Sequence, residues 1–403
     1  MKLPIRETPI AVPGFLFAGV ACGIKASGKS DLALIVSDVP AVAAGVVTRN
    51  RVKAAPVRIV MERLAHARAQ AVVVNSGNAN ACTGAAGMKA ARDACSQVAA
   101  GLGIAADTVL PCSTGKIGVP LPAAAMRRGV AAALAALDDG GFWQAAHAMM
   151  TTDAFPKAGM RRVRVGGRTV TIAAMAKGAG MIAPDMATLL VVVMTDAAVA
   201  APALRAFVRA AVATSFNAIT VDGDCSTNDT LLMLANGVAE NARFTPASAD
   251  GRRFRGALAD LLGALADMVV ADGEGATKRM RITVVGARTA LEARRAARRI
   301  GESQLVKTAL YGSDPNWGRI ACAAGHAGVA LDADRLSVAI AGVPVLRRGL
   351  PAAPAAVTRA ARGMRGDAVD VRVDLATGGR GRATILASDL TPAYVKFNSD
   401  YST

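Results

Sequence analysis

Apolar runs of strand length alternate along this chain with Ala-rich stretches whose apolar positions recur at helical spacing. That alternation predicts an α/β or α+β class, because an all-α or all-β chain would keep one period throughout. AVVVNSGN (71–78) reads as a strand entering a polar turn, followed by a helix from about Ala85 to Ala100. TVLPCSTGKIG (108–118) is again a strand that runs into a Ser/Thr/Gly loop, and the stretches after Leu121 and around Phe142 to Met150 have helical patterning. RRVRVGGRTVTIAAM (161–175) is two strand-like runs about Gly166-Gly167, a hairpin signature. The apolar run from Thr188 to Val193 follows, then a helix over 202–215, the polar cluster FNAITVDGDCSTNDT (216–230) and an apolar LLML strand. A long helix is expected from about Ala249 to Val270, then a strand RITVV, a basic helix over 289–299 and a strand-rich tail. The ending FNSDYST is polar and, taken alone, reads as a frayed terminus.

A chain of 403 residues is long for one core, so two lobes or one large layered domain is expected. Hydrophobic residues at 53% against 19% charged exclude a disordered chain. No apolar run approaches the ~18 residues of a membrane span, and MKLPIRETPI lacks the apolar centre of a signal peptide. The expectation is a soluble, cytoplasmic protein without a membrane partner. A net charge of +17 raises nucleic-acid binding or an anionic small substrate. The basic residues are mostly Arg spread along helices, and only 3% of residues are aromatic, which leaves few platforms for stacking bases. Solvated basic faces are therefore favoured over a nucleic-acid partner, while the positive field can still draw in carboxylates.

Six cysteines show no CxxC spacing, and several sit in apolar surroundings such as TVLPCS and RIACAAG, so buried free thiols are expected. Three histidines lie far apart, at 66, 147 and 326. Neither a metal site nor a His-centred mechanism is signalled. GIKASGKS (23–30) matches the GxxxxGK[ST] phosphate loop, with Lys29 and Ser30 in the formal roles. The residues after it, DLALIVSDVP, alternate like a strand where that loop needs a helix, so nucleotide binding is disfavoured.

MIAPDMATLLVVVM (181–194) sets a Thr at the mouth of an apolar run. The plain reading is the first β-branched residue of a buried strand. The chemical reading begins with the glycines and Pro184 before it, which permit a loop that presses the Thr188 hydroxyl against the carbonyl carbon of Ala187. Attack there moves the acyl group from nitrogen to oxygen, and hydrolysis of the ester cuts the chain. Thr188 then becomes an N-terminus whose α-amine, with a pKa of ~7.7–8.0, serves the hydroxyl as its own base. No histidine is needed. Acyl transfer also requires donors for a developing oxyanion, which the Thr114 hydroxyl and the Gly115 N–H would supply, although a loop such as CSTGKIG by itself is more often an ordinary turn.

NSGNANACTG (75–84), CSTGKIG (112–118), TTDAFPK (151–157), KGAGMIAPDMAT (177–188), VDGDCSTND (221–229), DGEGATK (272–278), SDPNWGR (313–319) and terminal NSDYST follow one another in order. With them the chain resembles the ornithine acetyltransferase, or glutamate N-acetyltransferase, family along essentially its whole length. The resemblance implies a layered α-β-β-α sandwich built from both products of self-cleavage between Ala187 and Thr188. These are an α chain of residues 1–187 and a β chain of residues 188–403, with a C-terminal lobe from about 280. It implies acetyl transfer from N-acetylornithine to glutamate, by a ping-pong route through an acetyl ester on Thr188, in arginine biosynthesis. Thr114 and Gly115 would form the oxyanion hole, and Thr151, Lys177, Thr188, Glu274, Asn398 and Thr403 would bind substrate. Lys177 suits a carboxylate, Glu274 an ammonium, and Asn398 either end; outside the family pattern Lys177 and Glu274 would read as solvated charges, and Asn398 and Thr403 as tail residues. No cofactor or metal is implied. Acetyl-CoA as a second donor, a heterotetramer of two α and two β chains, and service in secondary metabolism are further family properties.

Three positions depart from the family pattern: Ala154, Ala179 and Asp185 stand where Thr, Ser and Asn are common. A carboxylate at 185 bears on the pKa of the new amine and on the cleavage rate. The rivals to this reading are an N-terminal-nucleophile amidase that gives its acyl group to water and, more remotely, a basic nucleic-acid-binding protein.

Overall fold

The computed structural model describes residues 7–183 and 189–400. Among them the strands form two sheets. The first is built from β1 (Phe15–Val20), β2 (Leu32–Val47), β3 (Arg68–Asn78), β4 (Val109–Lys116), β5 (Lys157–Val165), β6 (Arg168–Lys177), β7 (Leu190–Thr195) and, after the short β8 (Ile219–Thr220), β9 (Thr230–Ala235). Its order is β4-β3-β2-β9-β7-β6-β5, with β1 beside β2. The helices here are α1 (Ala55–Leu64), α2 (Gly84–Leu102), α3 (Ala123–Ala135), α4 (Phe142–Met149), α5 (Ala201–Thr214) and α6 (Ala249–Ala271).

Two halves of this sheet meet through β2, which runs sixteen residues and passes through Pro40. Proline cannot donate to a ladder, and the register against β3 shifts between Val36 and Ala41. Before the shift β2 pairs with β1, after it with β9. Ala33 and Ile35 on one side of the irregularity, and Ala41 and Ala43 on the other, face the same core. That core also takes Val72, Val74 and Leu110 from one half, Met175, Val192 and Leu232 from the other, and Phe142 and Met149 of α4. The outward residues of the first half, such as Leu34 and Val73, pack under α2 and α3. Those of the second half, such as Ile172, Val193 and Met233, pack under α5 and α6. The layers therefore run α-β-β-α, as the resemblance implied. β7 and β9 are buried at every position, which is why they read as continuous apolar runs without alternation.

The second sheet has the order β13-β12-β11-β14-β10-β15-β8. It contains β10 (Arg279–Ala287), β11 (Ser337–Ile340), β12 (Val343–Arg347), β13 (Leu350–Pro351), β14 (Ala368–Asp374) and β15 (Gly381–Ser388). One face is covered by α7 (Ala290–Gly301), α8 (Gln304–Tyr311), α9 (Trp317–Gly325) and α10 (Pro354–Gly363). The other face is largely polar, so β14 alternates strictly: Val369, Val371 and Val373 inward, Asp370 and Arg372 outward. Its long strands start at Arg279, and β8 stitches it to the first unit by pairing with β15.

The hairpin at Gly166-Gly167 is β5–β6, and each expected helix lies within a few residues of its place. Other expectations change. Residues 392–400 form a helix, α11 (Pro392–Asp400), in place of a frayed end. Cys322 is exposed despite its apolar neighbours in sequence, because it lies on the outward side of α9; Cys82 is exposed too, whereas Cys22, Cys95 and Cys112 are buried. In the GIKASGKS loop the amides of Cys22, Ile24 and Lys25 converge on the buried Asp31 carboxylate at 2.7, 2.6 and 2.9 Å, and β2 follows. The chain's own anion thus occupies the backbone donors that a phosphate would need.

β7 and β9 lie between β2 and β6 in the sheet. A break in the segment joining β6 to β7 would leave two pieces interleaved by β2–β9 and β6–β7 ladders in a core whose exposure costs about 25 cal/mol per Å². Two such pieces are expected to co-elute as one particle in native size-exclusion chromatography and to separate only in denaturant; separation in buffer would contradict the interleaved sheet.

Candidate active site

The parallel strands β3 and β4 end together, and their last residues turn polar because the chain must leave a ladder without abandoning buried carbonyls. Asn side chains take over. Ser113 Oγ donates to Asn75 Oδ1 at 2.5 Å, Asn75 Nδ2 to the Asn78 carbonyl at 2.8 Å, and Asn228 Nδ2 to the carbonyls of Ala79 and Ser113 at 2.6 and 2.8 Å. Thr114 and Gly115 follow. Gly115 has φ +130°, and a Cβ there would stand 2.2 Å from the Gly77 carbonyl carbon, so no other residue fits the crossing of the two strand ends.

Opposite them, β6 delivers Lys177, whose Nζ donates to Thr114 Oγ1 at 3.3 Å. Lys177 is 7% exposed, not the solvated charge its type suggests. Burial pulls its pKa below the usual lysine range, against the neighbouring Asp153. The chain then passes through residues 178–183 pinned from several sides. Asp222 accepts from the amides of Met181 and Ile182 at 2.6 and 2.8 Å, and the Glu274 amide donates to the Ala179 carbonyl at 3.0 Å. Burial pushes the Asp222 carboxyl up to about 6. Asp229, buried at the start of β9, is raised well above the ordinary range, again by burial first. Glu274 receives Asn398 Nδ2 on Oε2 at 3.1 Å, which ties α11 to the site. Ala154 and Ala179, two of the departures from the family pattern, take part through the main chain: the Ala154 amide donates to Asp272 Oδ2 at 2.9 Å.

These elements enclose a cavity of about 260 Å³. Thr114, Gly115, Thr151, Lys177, Glu274 and Asn398 all line it, as do Leu189 and Leu190 at the start of β7. Every described residue expected to form the oxyanion hole or to bind substrate is there. Ala187, Thr188 and Thr403, and Asp185 with them, lie outside the described residues. The cavity also takes Asp222, Asp224, Ser226, Thr227, Asn228, Asp229 and Tyr394, none of which was singled out in the sequence. For all but Tyr394 the signal was the polar interruption VDGDCSTND between two apolar runs. No histidine is among the lining residues, and among the described residues no cluster of His, Cys, Asp and Glu is arranged to hold a metal ion.

The family model that matches this chain covers residues 16–403 and is that of the ArgJ family. The chain belongs to the ArgJ family. A relative from Geobacter sulfurreducens, named arginine biosynthesis bifunctional protein ArgJ, is 49% identical over 392 residues, spanning 97% of this chain and 100% of the relative. A protein of the same name from Symbiobacterium thermophilum is 49% identical over 395 residues, with 98% of each covered. The crystal structure of arginine biosynthesis bifunctional protein ArgJ from Bacillus halodurans matches at 38% identity and a TM-score of 0.49, over 51% of this chain and 96% of that one. The resemblance read from the collinear motifs is thus to the family in which this ArgJ-type chain belongs.

Gly115→Ala in this ArgJ-family chain is expected to lower the unfolding free energy by roughly 2–4 kcal/mol, from a left-handed backbone and a Cβ forced against Gly77. Urea denaturation checks this; a midpoint unchanged from the parent would contradict the close crossing.

Proposed function

We propose that this chain cuts itself between Ala187 and Thr188 and then transfers acetyl from N-acetylornithine to glutamate, releasing ornithine and N-acetylglutamate in arginine biosynthesis. The observation that carries the reading is the convergence of five separated stretches, 114–115, 151, 177, 274 and 398, on one cavity whose wall continues into Leu189 and Leu190. Thr188 Oγ attacks the acetyl carbonyl carbon while its proton passes to the Thr188 amine. The oxyanion accepts hydrogen bonds from Thr114 Oγ1 and the Gly115 N–H. The C–N bond breaks, ornithine departs with the proton from the Thr188 amine, and the acetyl group remains as an ester on Thr188. The amine of glutamate then attacks that ester and the steps run in reverse.

Charge supports the substrate class. Lys177 among the lining carboxylates Asp222, Asp224, Asp229 and Glu274 suits a zwitterionic amino acid, with Lys177 toward the carboxylate and Glu274 and Asn398 toward an ammonium. A phosphate backbone finds no welcome beside Asp222, Asp224 and Glu274, which speaks against the nucleic-acid rival. Thr151 and Thr403 complete the proposed substrate contacts. We assign no metal or cofactor; acetyl-CoA enters only as a second donor, decided by supplying it in place of N-acetylornithine. The interleaved strands favour α and β chains that stay together, and a pairing of two such units makes the proposed heterotetramer. Among the described residues no helix is long and apolar enough to cross a membrane, which is compatible with work in the cytoplasm.

Thr188→Ala is expected to give a single ~40.8 kDa species without acetyl transfer, and Thr188→Ser to keep part of both processing and turnover. Intact mass and N-terminal sequencing read the first, and N-acetylglutamate formation the second. Retained turnover in Thr188→Ala would overturn the assignment. Acetate release in excess of N-acetylglutamate would instead favour the amidase.

A further inference from the structure

Behind Lys177 lies a carboxylate that acetyl transfer does not use. The Asp153 side chain is fully buried. Its Oδ1 accepts from Lys157 Nζ at 2.6 Å and from the Gly178 amide at 2.6 Å; its Oδ2 accepts from the Thr151 amide at 2.9 Å and stands 4.0 Å from Lys177 Nζ. Lys157 is held a second time by Asp272 Oδ2 at 2.6 Å and lies over the Phe155 ring at 4.9 Å. Two carboxylates and two ammoniums thus balance in a buried cluster, and Lys177 is the one member that reaches the cavity wall.

We propose that Asp153 is the positioning residue of the substrate-carboxylate subsite, one buried group that fixes the Thr151 backbone and the Lys177 ammonium relative to each other and, through Lys177, the Thr114 hydroxyl. The proposal rests on the reading in which Thr151 and Lys177 bind substrate. Gly178 follows Lys177 in the chain, so Asp153 grips both the main chain after that lysine and the ammonium at its tip. Lys177 in turn donates into Thr114 Oγ1, which leaves the hydroxyl hydrogen free to turn toward a forming oxyanion. Without the carboxylate, at least one of the Thr151 and Gly178 amides would be poorly paired, and Lys177 would face Lys157 across a buried gap.

The same contact governs protonation. Lys177 is pulled down chiefly by burial; Asp153 opposes this most strongly, Glu274 and Asp229 add to it, and Lys157 works the other way. Lys25, from the loop before β2, also repels Lys177. An ammonium whose main counter-charge is removed loses its proton at lower pH. The alkaline limb of activity must then move toward neutrality.

The test uses self-cleaved protein carrying Asp153→Asn or Asp153→Glu, with kcat/KM for transfer from N-acetylornithine to glutamate followed against pH. Asp153→Asn is expected to move the alkaline limb down by about one pH unit or more and to raise KM for N-acetylornithine about tenfold, with a smaller change in kcat. Asp153→Glu keeps the charge but displaces the amides, so the limb stays and KM rises. A limb and KM both unmoved in Asp153→Asn would overturn the proposal, as would lower kcat alone, which is what a merely structural role predicts. Should Asp153→Asn not fold, Asp153→Glu decides: a parental KM overturns the proposal. Parent protein that transfers no acetyl would strike the functional reading itself, whereas an active parent with an unmoved Asp153→Asn profile strikes Asp153 alone.

Discussion

Everything in the first unit depends on two central strands whose main chains can be satisfied only by their neighbours. β7 and β9 are buried on both faces and pair in parallel with each other, with β6 flanking one and β2 the other. In so dry a place an unpaired N–H or C=O costs far more than a lost surface contact, so the ladder cannot open one strand at a time. The order in space also differs from the order in sequence: β7 and β9 enter between strands formed well before them. This insertion brings the ends of β3, β4 and β6 against the starts of β7 and β9, and the cavity sits there.

Polar chemistry concentrates at that seam for a structural reason before any catalytic one. Where a buried strand stops, its last carbonyls and amides need partners, and the chain supplies them from Asn75, Asn78, Asn228, Asp222 and Asp153. The groups that satisfy the main chain are therefore the ones that hold the loops around the cavity. Asp222 and Asn228 do both, pairing with main-chain groups and lining the cavity.

Legibility in the sequence followed the range of each interaction. Helix and strand periods are local, and the Gly166-Gly167 hairpin, α6 and the β3 and β4 strands with their polar exits stood where their patterns put them. The passage of β2 through Pro40 was not legible, because whether a proline ends a strand or sits at an irregularity depends on which strands lie on either side. Cys322 misled for a related reason: neighbours in sequence are apolar, but a helix turns consecutive residues to different faces, and its own face is outward.

The candidate site divides in the same way. Ordered motifs, read as a collinear series, determined by themselves the family and the residues expected to carry the chemistry, because a motif is a local string whose meaning survives without coordinates. Only the tertiary structure decided that Asp153 reaches both Thr151 and Lys177, that Asp222 clamps residues 181–182, and that Tyr394 and Asp229 share a wall with Thr114. Apart from the Thr151–Asp153 turn, those contacts join positions separated by tens to hundreds of residues. They follow from the packing of strands and loops around a common seam, which no periodicity along the chain records.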